Sequence, residues 1–504
     1  MTTPPPKSAA PFALRPQPHL YEINTWAWLE SLSSKLGRII KLADVPDSEW
    51  DALARRGFDI VWLMGVWQRS PEARRLALTD SNNPPLYDRA LPGWKPKDVV
   101  ASPYSVAAYV PDPRIGSWQE VDAVREKLHA RGVALFFDFV GNHTALDHPW
   151  TREHPDFYVQ ATQQQFSKNP GAFRAIDSPS GTHFIALARD PYFPPWSDCA
   201  QLNHFNPAMR AAQIAELRII ASHCDGVRCD MAMLHLSDIF EKTWAPFLQG
   251  AKPMPREFWA DVHSQLPNLI LLAEAYWGTE QRLLDLGFSF AYDKSFYDSV
   301  RDMNAPNVRS ALSASLDYQN HLARFLENHD EHRAVEVFGK DRMVSVGTLM
   351  GTIPGMRFYH QGELEGLSTY LPITLQMAAP RPPDTVISRF FEKLLRVTNE
   401  DVFHHGSWNL LPVVADSDDS SGNLIAHEWR SDKAWKVIVV NLSGRSSQGR
   451  IQFGGRQLSA SEYVFYDELN EVRYLRDAGD LRGPGVFVRR DGFGAHLFDV
   501  CPVR

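Results

Sequence analysis

Phe136-Phe137-Asp138-Phe139-Val140-Gly141-Asn142-His143 is an apolar run that breaks off in polar residues, and three later stretches repeat the design. They are Gly226-Val227-Arg228-Cys229-Asp230, Leu271-Leu272-Ala273-Glu274 and Phe325-Leu326-Glu327-Asn328-His329-Asp330. Each carries an acid, or a group that holds one, at the end of a strand-like segment. A further run, Gly57 to Met64, shows almost no alternation, as expected for a strand buried on both faces of a parallel sheet. Helical patterns lie between such runs. Ser117 to Arg131 is one, with Ser117 as cap, Val121, Val124 and Leu128 at helical spacing, and Gly132 as its stop. Alternation of strands and helices is the signature of βαβ units. Strands are expected near Tyr21 to Thr25, over 57 to 64, into Asp138, and over 224 to 230, 268 to 274, 287 to 293, 322 to 327 and 355 to 361. That makes eight, the number that closes a (β/α)8 barrel, so the expected fold class is α/β.

The chain has 504 residues, enough for one large domain and a small one. A net charge of -8 gives no footprint for a polyanion, which argues against nucleic acid. No apolar run approaches the length of a membrane span. Met1 to Pro18, rich in Pro and Ala, reads as a disordered leader rather than an export signal. Four cysteines form no staple framework, which fits a reducing, cytoplasmic location.

Two regions depart from the barrel rhythm. Residues 144–207 are dense in Pro, aromatic and turn residues and too long for an ordinary βα loop, so they are expected to form an inserted lid after the third strand. From 403 to 504 the pattern becomes short alternating strands, such as Trp435 to Asn441, Glu462 to Tyr466 and Val486 to Arg490. A small C-terminal antiparallel β-sandwich is expected there, leaving 19–402 for the barrel.

In a barrel of this kind the catalytic groups sit at the C-terminal ends of the strands, where every acid quoted above falls. Arg228 and Asp230, two apart on one strand, share a face, and a guanidinium beside a carboxylate favours its ionised form. Glu274 follows Leu and Ala and precedes Ala275, Tyr276 and Trp277, an apolar setting that raises a carboxyl pKa. The pair has the character of a nucleophile and an acid. Asp138 and Asn142 are read as residues that hold the barrel mouth together. His143 with His148, His329 with His332 and His404 with His405 lack the further ligands a metal site needs, so hydrogen-bonding roles are expected instead. Trp150, Tyr158, Tyr192, Phe193 and Trp196 read as lid core, with stacking on a bound ligand as a second role for one or two.

The four segments, in type and order, resemble the signature segments of the α-amylase family, retaining enzymes with a TIM barrel that act on α-glucosidic bonds. The likeness spans about residues 20 to 400 and includes Pro354 to Glu363, similar to the family's last strand. It implies Asp230 as nucleophile, Glu274 as acid/base and Asp330 as the third carboxylate. It also implies that His143 and His329 bond the sugar and that Tyr104 stacks beneath it; Arg228 is placed in the site by its spacing from Asp230, and Trp277, Met233 and the insert are expected to border the acceptor side. The expected substrate is an α-glucoside or malto-oligosaccharide, by hydrolysis or, with the same covalent intermediate, by transfer or isomerisation. A non-catalytic scaffold of the same fold would be expected to lack one of the three acids. The sequence also departs from the family. Met231-Ala232-Met233-Leu234 precedes His235 where starch-degrading members carry a Lys-His pair, and Gln201 and Asn203 replace acids that help bind calcium. No cofactor and no metal is therefore expected, and a pocket shaped for short substrates is.

Overall fold

The computed structural model describes residues 12–248, 250, 252–454 and 458–503. Eight parallel strands close a barrel: β1 His19–Asn24, β2 Ile60–Met64, β3 Ala134–Phe139, β4 Gly226–Cys229, β5 Ile270–Ala273, β6 Phe290–Tyr292, β7 Leu322–Arg324 and β8 Met356–His360. Each pairs with its sequence neighbour, and β8 returns to β1. The strands that sequence pattern locates are the observed ones, trimmed at their ends. β2 starts at Ile60 because Gly57, at φ +82°, turns the chain and the Asp59 carboxylate accepts the His19 backbone N–H. Thr25 belongs to a helix, not to β1, because the Asn24 side chain caps that helix by accepting from Ala27 N. The helix expected over 117–131 runs Trp118–His129, with Ser117 as its cap and Val121, Val124 and Leu128 buried.

The leader expected over residues 1–18 must be shortened. Met1 to Pro11 lie outside the described residues, whereas 12–18 are tied to the N-terminal end of the barrel. Arg15 pairs with Asp59 at 2.6 Å and donates to Gly57 O and Asn399 Oδ1, and the Gln17 amide donates to Asn320. Phe12 packs on the His129 ring. Composition alone does not reveal these partners, because all of them are distant in sequence.

The segment after β3 forms its own small unit. Strands Gln160–Ala161, Phe173–Ser178 and Gly181–Ala186 make a three-stranded sheet, and His143–Ala145 pairs with Cys199–Gln201. Leu146, Phe157, Tyr158, Ile176, Ile185 and Leu202 give it a separate core. A second excursion, between β2 and β3, contains helices Pro71–Thr79 and Asn83–Ala90 and delivers Tyr104 to the barrel mouth.

After helix Thr385–Thr398 the chain enters a six-stranded antiparallel sheet faced by a three-stranded one. Strand Trp435–Asn441 shows why this sheet can lie between two cores. Its alternate residues separate, Val437 and Val439 into the core between the sheets and Ile438 and Val440 into the core shared with the barrel.

Candidate active site

Each carboxyl group of the site owes its position to the end of a strand. Asp230 follows β4, with its backbone N–H bonded to Phe139 O of β3, and Glu274 follows β5, with its N–H bonded to Cys229 O of β4. Their side chains meet over Arg228, which is fully buried in the barrel. One guanidinium nitrogen of Arg228 lies 2.6 Å from Asp230 Oδ1, and the other lies 3.0 Å from Glu274 Oε2 and 3.9 Å from Asp330 Oδ2. The rings of Trp62, Tyr104 and Tyr292 surround the guanidinium with centroids 5.2 to 5.7 Å away. The three acids, Tyr104, His143, Met231, Tyr276 and Trp277 line a cavity of about 610 Å³.

Burial, the Arg228 charge and mutual repulsion divide the acids. Burial pushes the Glu274 carboxyl up to about 7, Arg228 opposes this, and the charges of Asp230 and Asp330 reinforce it. Tyr276 OH donates to Glu274 Oε1 at 2.8 Å, and Met231 N–H donates to Oε2. For Asp230, burial also wins over the Arg228 charge and hydrogen bond, so its pKa lies above the ordinary aspartate value. The net lowering that a neighbouring guanidinium suggests is thus absent, because Arg228 is shared among three acids in a desolvated site. Asp330 differs. Its side chain is 42% exposed to the cavity, and although burial pushes its carboxyl up, the neighbouring His329 and then Arg228 bring it below the usual value. His329 Nε2 lies 2.9 Å from Asp330 Oδ2 and 2.7 Å from Tyr104 OH, and the two rings stack at 5.1 Å.

Asp230, Glu274, Asp330, Tyr104, His143 and Trp277 line the cavity, and Arg228 and His329 lie behind it against the acids. His143 is buried in the cavity wall against Trp196, and burial lowers its pKa to about 4, so it is a neutral hydrogen-bonding group. Trp277 is half exposed at the rim, at φ +62°, with Tyr192 edge-on at 5.0 Å. Phe193 and Trp196 also line the cavity, while Trp150 and Tyr158 sit in the insert core. Asp138 does not face the cavity: its carboxylate accepts from Trp62 Nε1 and Gly65 N and its carbonyl from Trp67 Nε1, so it ties the mouth together. Met233, expected to border the acceptor side, is fully buried, and Met231 takes that place because its left-handed backbone (φ +44°) reverses the chain. His235 points away, its ring against Phe258 and Trp259. Glu22, missed in the sequence, lies beneath the site and bonds His329; a lone acid between Tyr21 and Ile23 in β1 was the available signal.

The family model for the alpha-amylase catalytic domain matches residues 53–378. The chain belongs to the alpha-amylase family. Among curated relatives, alpha-amylase 3 of Dictyoglomus thermophilum is 25% identical over 284 residues, 52% of this chain and 52% of that protein. Oligo-1,6-glucosidase of Parageobacillus thermoglucosidasius is 21% identical over 396 residues, 69% of this chain and 65% of that protein. The chain thus spans about half to two thirds of the length of these relatives. The solved structure of a noncanonic maltogenic alpha-amylase from Thermotoga neapolitana shares the fold, with a TM-score of 0.69 at 17% identity, over 97% of this chain and 99% of that one.

The place where a calcium ion is expected in this family does not fit one here. The Gln201 amide nitrogen donates to Asn142 O and Asn142 Oδ1, both at 3.0 Å, and to Leu202 O at 3.1 Å, so a neutral N–H donor sits where the oxygens converge. Asn203 turns its oxygen to Phe205 N. Among the described residues no carboxylate is bonded to them, and a calcium site needs six to eight oxygen ligands. Among the described residues no group of three or more His, Cys, Asp and Glu could hold a metal. The melting temperature is expected to be the same in excess chelator and in added calcium. A fall of several degrees in chelator, reversed by calcium alone, would contradict this reading.

Proposed function

We propose that this protein is a retaining glycosidase that cleaves α-glucosidic bonds in malto-oligosaccharides or related short α-glucosides through a covalent glycosyl-enzyme. The observation that carries the proposal is the sharing of one guanidinium by Asp230 and Glu274, with the Glu274 carboxyl raised to about 7. Retaining chemistry wants its two carboxyl groups roughly 5 to 5.5 Å apart, close enough for both to contact one guanidinium as Asp230 and Glu274 do. The Asp230 carboxylate attacks the anomeric carbon as the glycosidic C–O bond breaks, and the Glu274 proton goes to the leaving oxygen. Glu274 then takes a proton from water, whose oxygen displaces Asp230 from the sugar. Asp330, held low in pKa and open to the cavity, accepts hydrogen bonds from ring hydroxyls. Tyr104 stacks beneath the sugar, with His143 and His329 bonding it and Trp277 at the acceptor end. The convergence of all three acids on one cavity speaks against a scaffold that has lost activity. Oligo-1,6-glucosidase and alpha-amylase among the relatives support the substrate class.

Asp190, Phe193, Trp196, Asp198 and Cys199 of the insert wall one side of the cavity, whose volume falls within the roughly 300–1,000 Å³ typical of small-ligand pockets. This favours short substrates over polymers. The four free thiols, three of them buried, support a reducing compartment, and no helix among the described residues is long and apolar enough to cross a membrane.

Two measurements test the proposal. On a maltodextrin ladder, followed by proton NMR, maltose- to maltotetraose-sized substrates are expected to disappear before soluble starch, with the α-anomer as first product. A β-anomer, or internal cutting of starch before small sugars appear, would overturn the mechanism or the pocket shape respectively. Transfer to added acceptors in place of hydrolysis would move the assignment to a transglycosylase. The pH profile is the second test. Glu274 must keep its proton, so kcat/KM falls as pH rises through about 7. Asp230 must be ionised, so the acid limb lies above the ordinary aspartate value. Glu274→Gln should lose far less activity on an aryl glucoside, whose leaving group needs little protonation, than on maltose; equal losses would count against Glu274 as the acid.

A further inference from the structure

Glu22 is the one acidic side chain of β1, fully buried in the barrel below the site. Its Oε1 lies 2.5 Å from His329 Nδ1, while its Oε2 has no hydrogen-bond partner in the structure. A buried carboxylate with an idle oxygen costs stability, so its presence is not accounted for by packing. The other face of His329 meets a second acid, with Nε2 2.9 Å from Asp330 Oδ2 and 2.7 Å from Tyr104 OH. A carboxylate accepts and cannot donate, so carboxylates on both ring nitrogens are satisfied together only by the doubly protonated ring.

We infer that Glu22 is a positioning residue for the glycosidase reaction proposed above, holding His329 as an imidazolium so that His329 can fix Asp330 and Tyr104 in the geometry that grips the sugar. The inference rests on that functional reading for its consequence, though not for its geometry. Without the Glu22 charge, His329 would keep one proton. With that proton on Nδ1, the Nε2 lone pair would face Asp330, and the carboxylate would be repelled rather than held.

The other charges around His329 agree with this arrangement. Asp138 on β3 and Asp230 at the end of β4 favour the charged ring from across the barrel. Arg228 opposes it, since it reaches the same Asp330 oxygen at 3.9 Å, and His360 on β8 also acts on Asp330. Tyr104 and Tyr292 complete the ionisable groups on this side. Burial would strip the proton from His329, but Asp330 and Glu22 outweigh it and raise its pKa well above the usual value.

The test is Glu22→Gln, which keeps the shape and an acceptor oxygen but removes the charge. Nitrogen-15 NMR of the histidine rings, with His329 assigned by its loss in His329→Asn, reads the protonation state without any substrate. In the wild type at pH 8 both ring nitrogens are expected to carry protons; in Glu22→Gln one is expected to be bare. On the substrate that the ladder identifies, kcat/KM of the variant is expected to fall at least tenfold at pH 8 and little at pH 5.5, where the ring regains its proton. The alkaline limb should move at least one pH unit toward acid. A neutral wild-type ring at pH 8 would overturn the inference, and so would a variant that keeps both protons or loses activity equally at every pH. If Glu22→Gln does not fold, the wild-type titration decides alone. If no α-glucoside is turned over, the functional reading fails, while the ring protonation still decides what Glu22 does.

Discussion

A single buried guanidinium, that of Arg228, is the constraint on which the site is built. It brings one positive charge to three carboxyl groups, and aromatic rings rather than water close around it. Two carboxylates about 5 Å apart repel by roughly 3 kcal/mol at an effective dielectric of 20, more than two pKa units. Without a cation, ionising both Asp230 and Glu274 would be strongly disfavoured. With one cation shared, Arg228 opposes the rise of both, and Glu274, still raised to about 7, keeps its proton to near neutrality. Removing one member of such a buried set typically costs about 3–5 kcal/mol, so Arg228 serves the fold as well as the chemistry.

The surrounding barrel makes that sharing possible by fixing the strand ends. Asp230 and Glu274 stand at the ends of adjacent strands, each pinned by a backbone bond to the strand before it. Asp138, one strand earlier, spends its hydrogen bonds on Trp62, Gly65 and Trp67 and so locks β2 and β3 at the same level. Gln201 then joins the insert to the loop after β3 through two oxygens of Asn142, its backbone carbonyl and its side-chain amide oxygen. Glu22 extends the same logic downward, from the cavity to the buried first strand.

What was legible in the sequence is what strands and chemistry write locally. The eight strands could be found because buried parallel strands leave few polar residues to confuse the pattern, and the three acids, singled out by resemblance, stand at the ends of such runs and line one cavity. The pKa of Asp230 was not legible, since its direction depends on how many acids Arg228 serves, which is a property of three strands and not of one. Arg15 and Gln17 looked like part of a free leader because their partners, Asp59, Asn399 and Asn320, lie far along the chain. The insert's sheet escaped notice because one strand has only two residues and the other two, of six residues each, do not bury alternate positions. The left-handed turn at Met231 exchanged the expected Met233 for Met231 at the cavity wall, and backbone sign is not visible in side-chain type.

The central claim is that Arg228 sorts two like carboxyl groups into a nucleophile, Asp230, and an acid, Glu274. The most direct measurement is to trap the glycosyl-enzyme with a fluorinated α-glucosyl fluoride, which loses fluoride as the sugar ester forms and then hydrolyses slowly, and to locate the added mass by peptide mass spectrometry. The account predicts one sugar per chain, on the peptide containing Asp230 and at that side chain. A label on Glu274 or Asp330, or fluoride release with inverted product and no adduct, would contradict it.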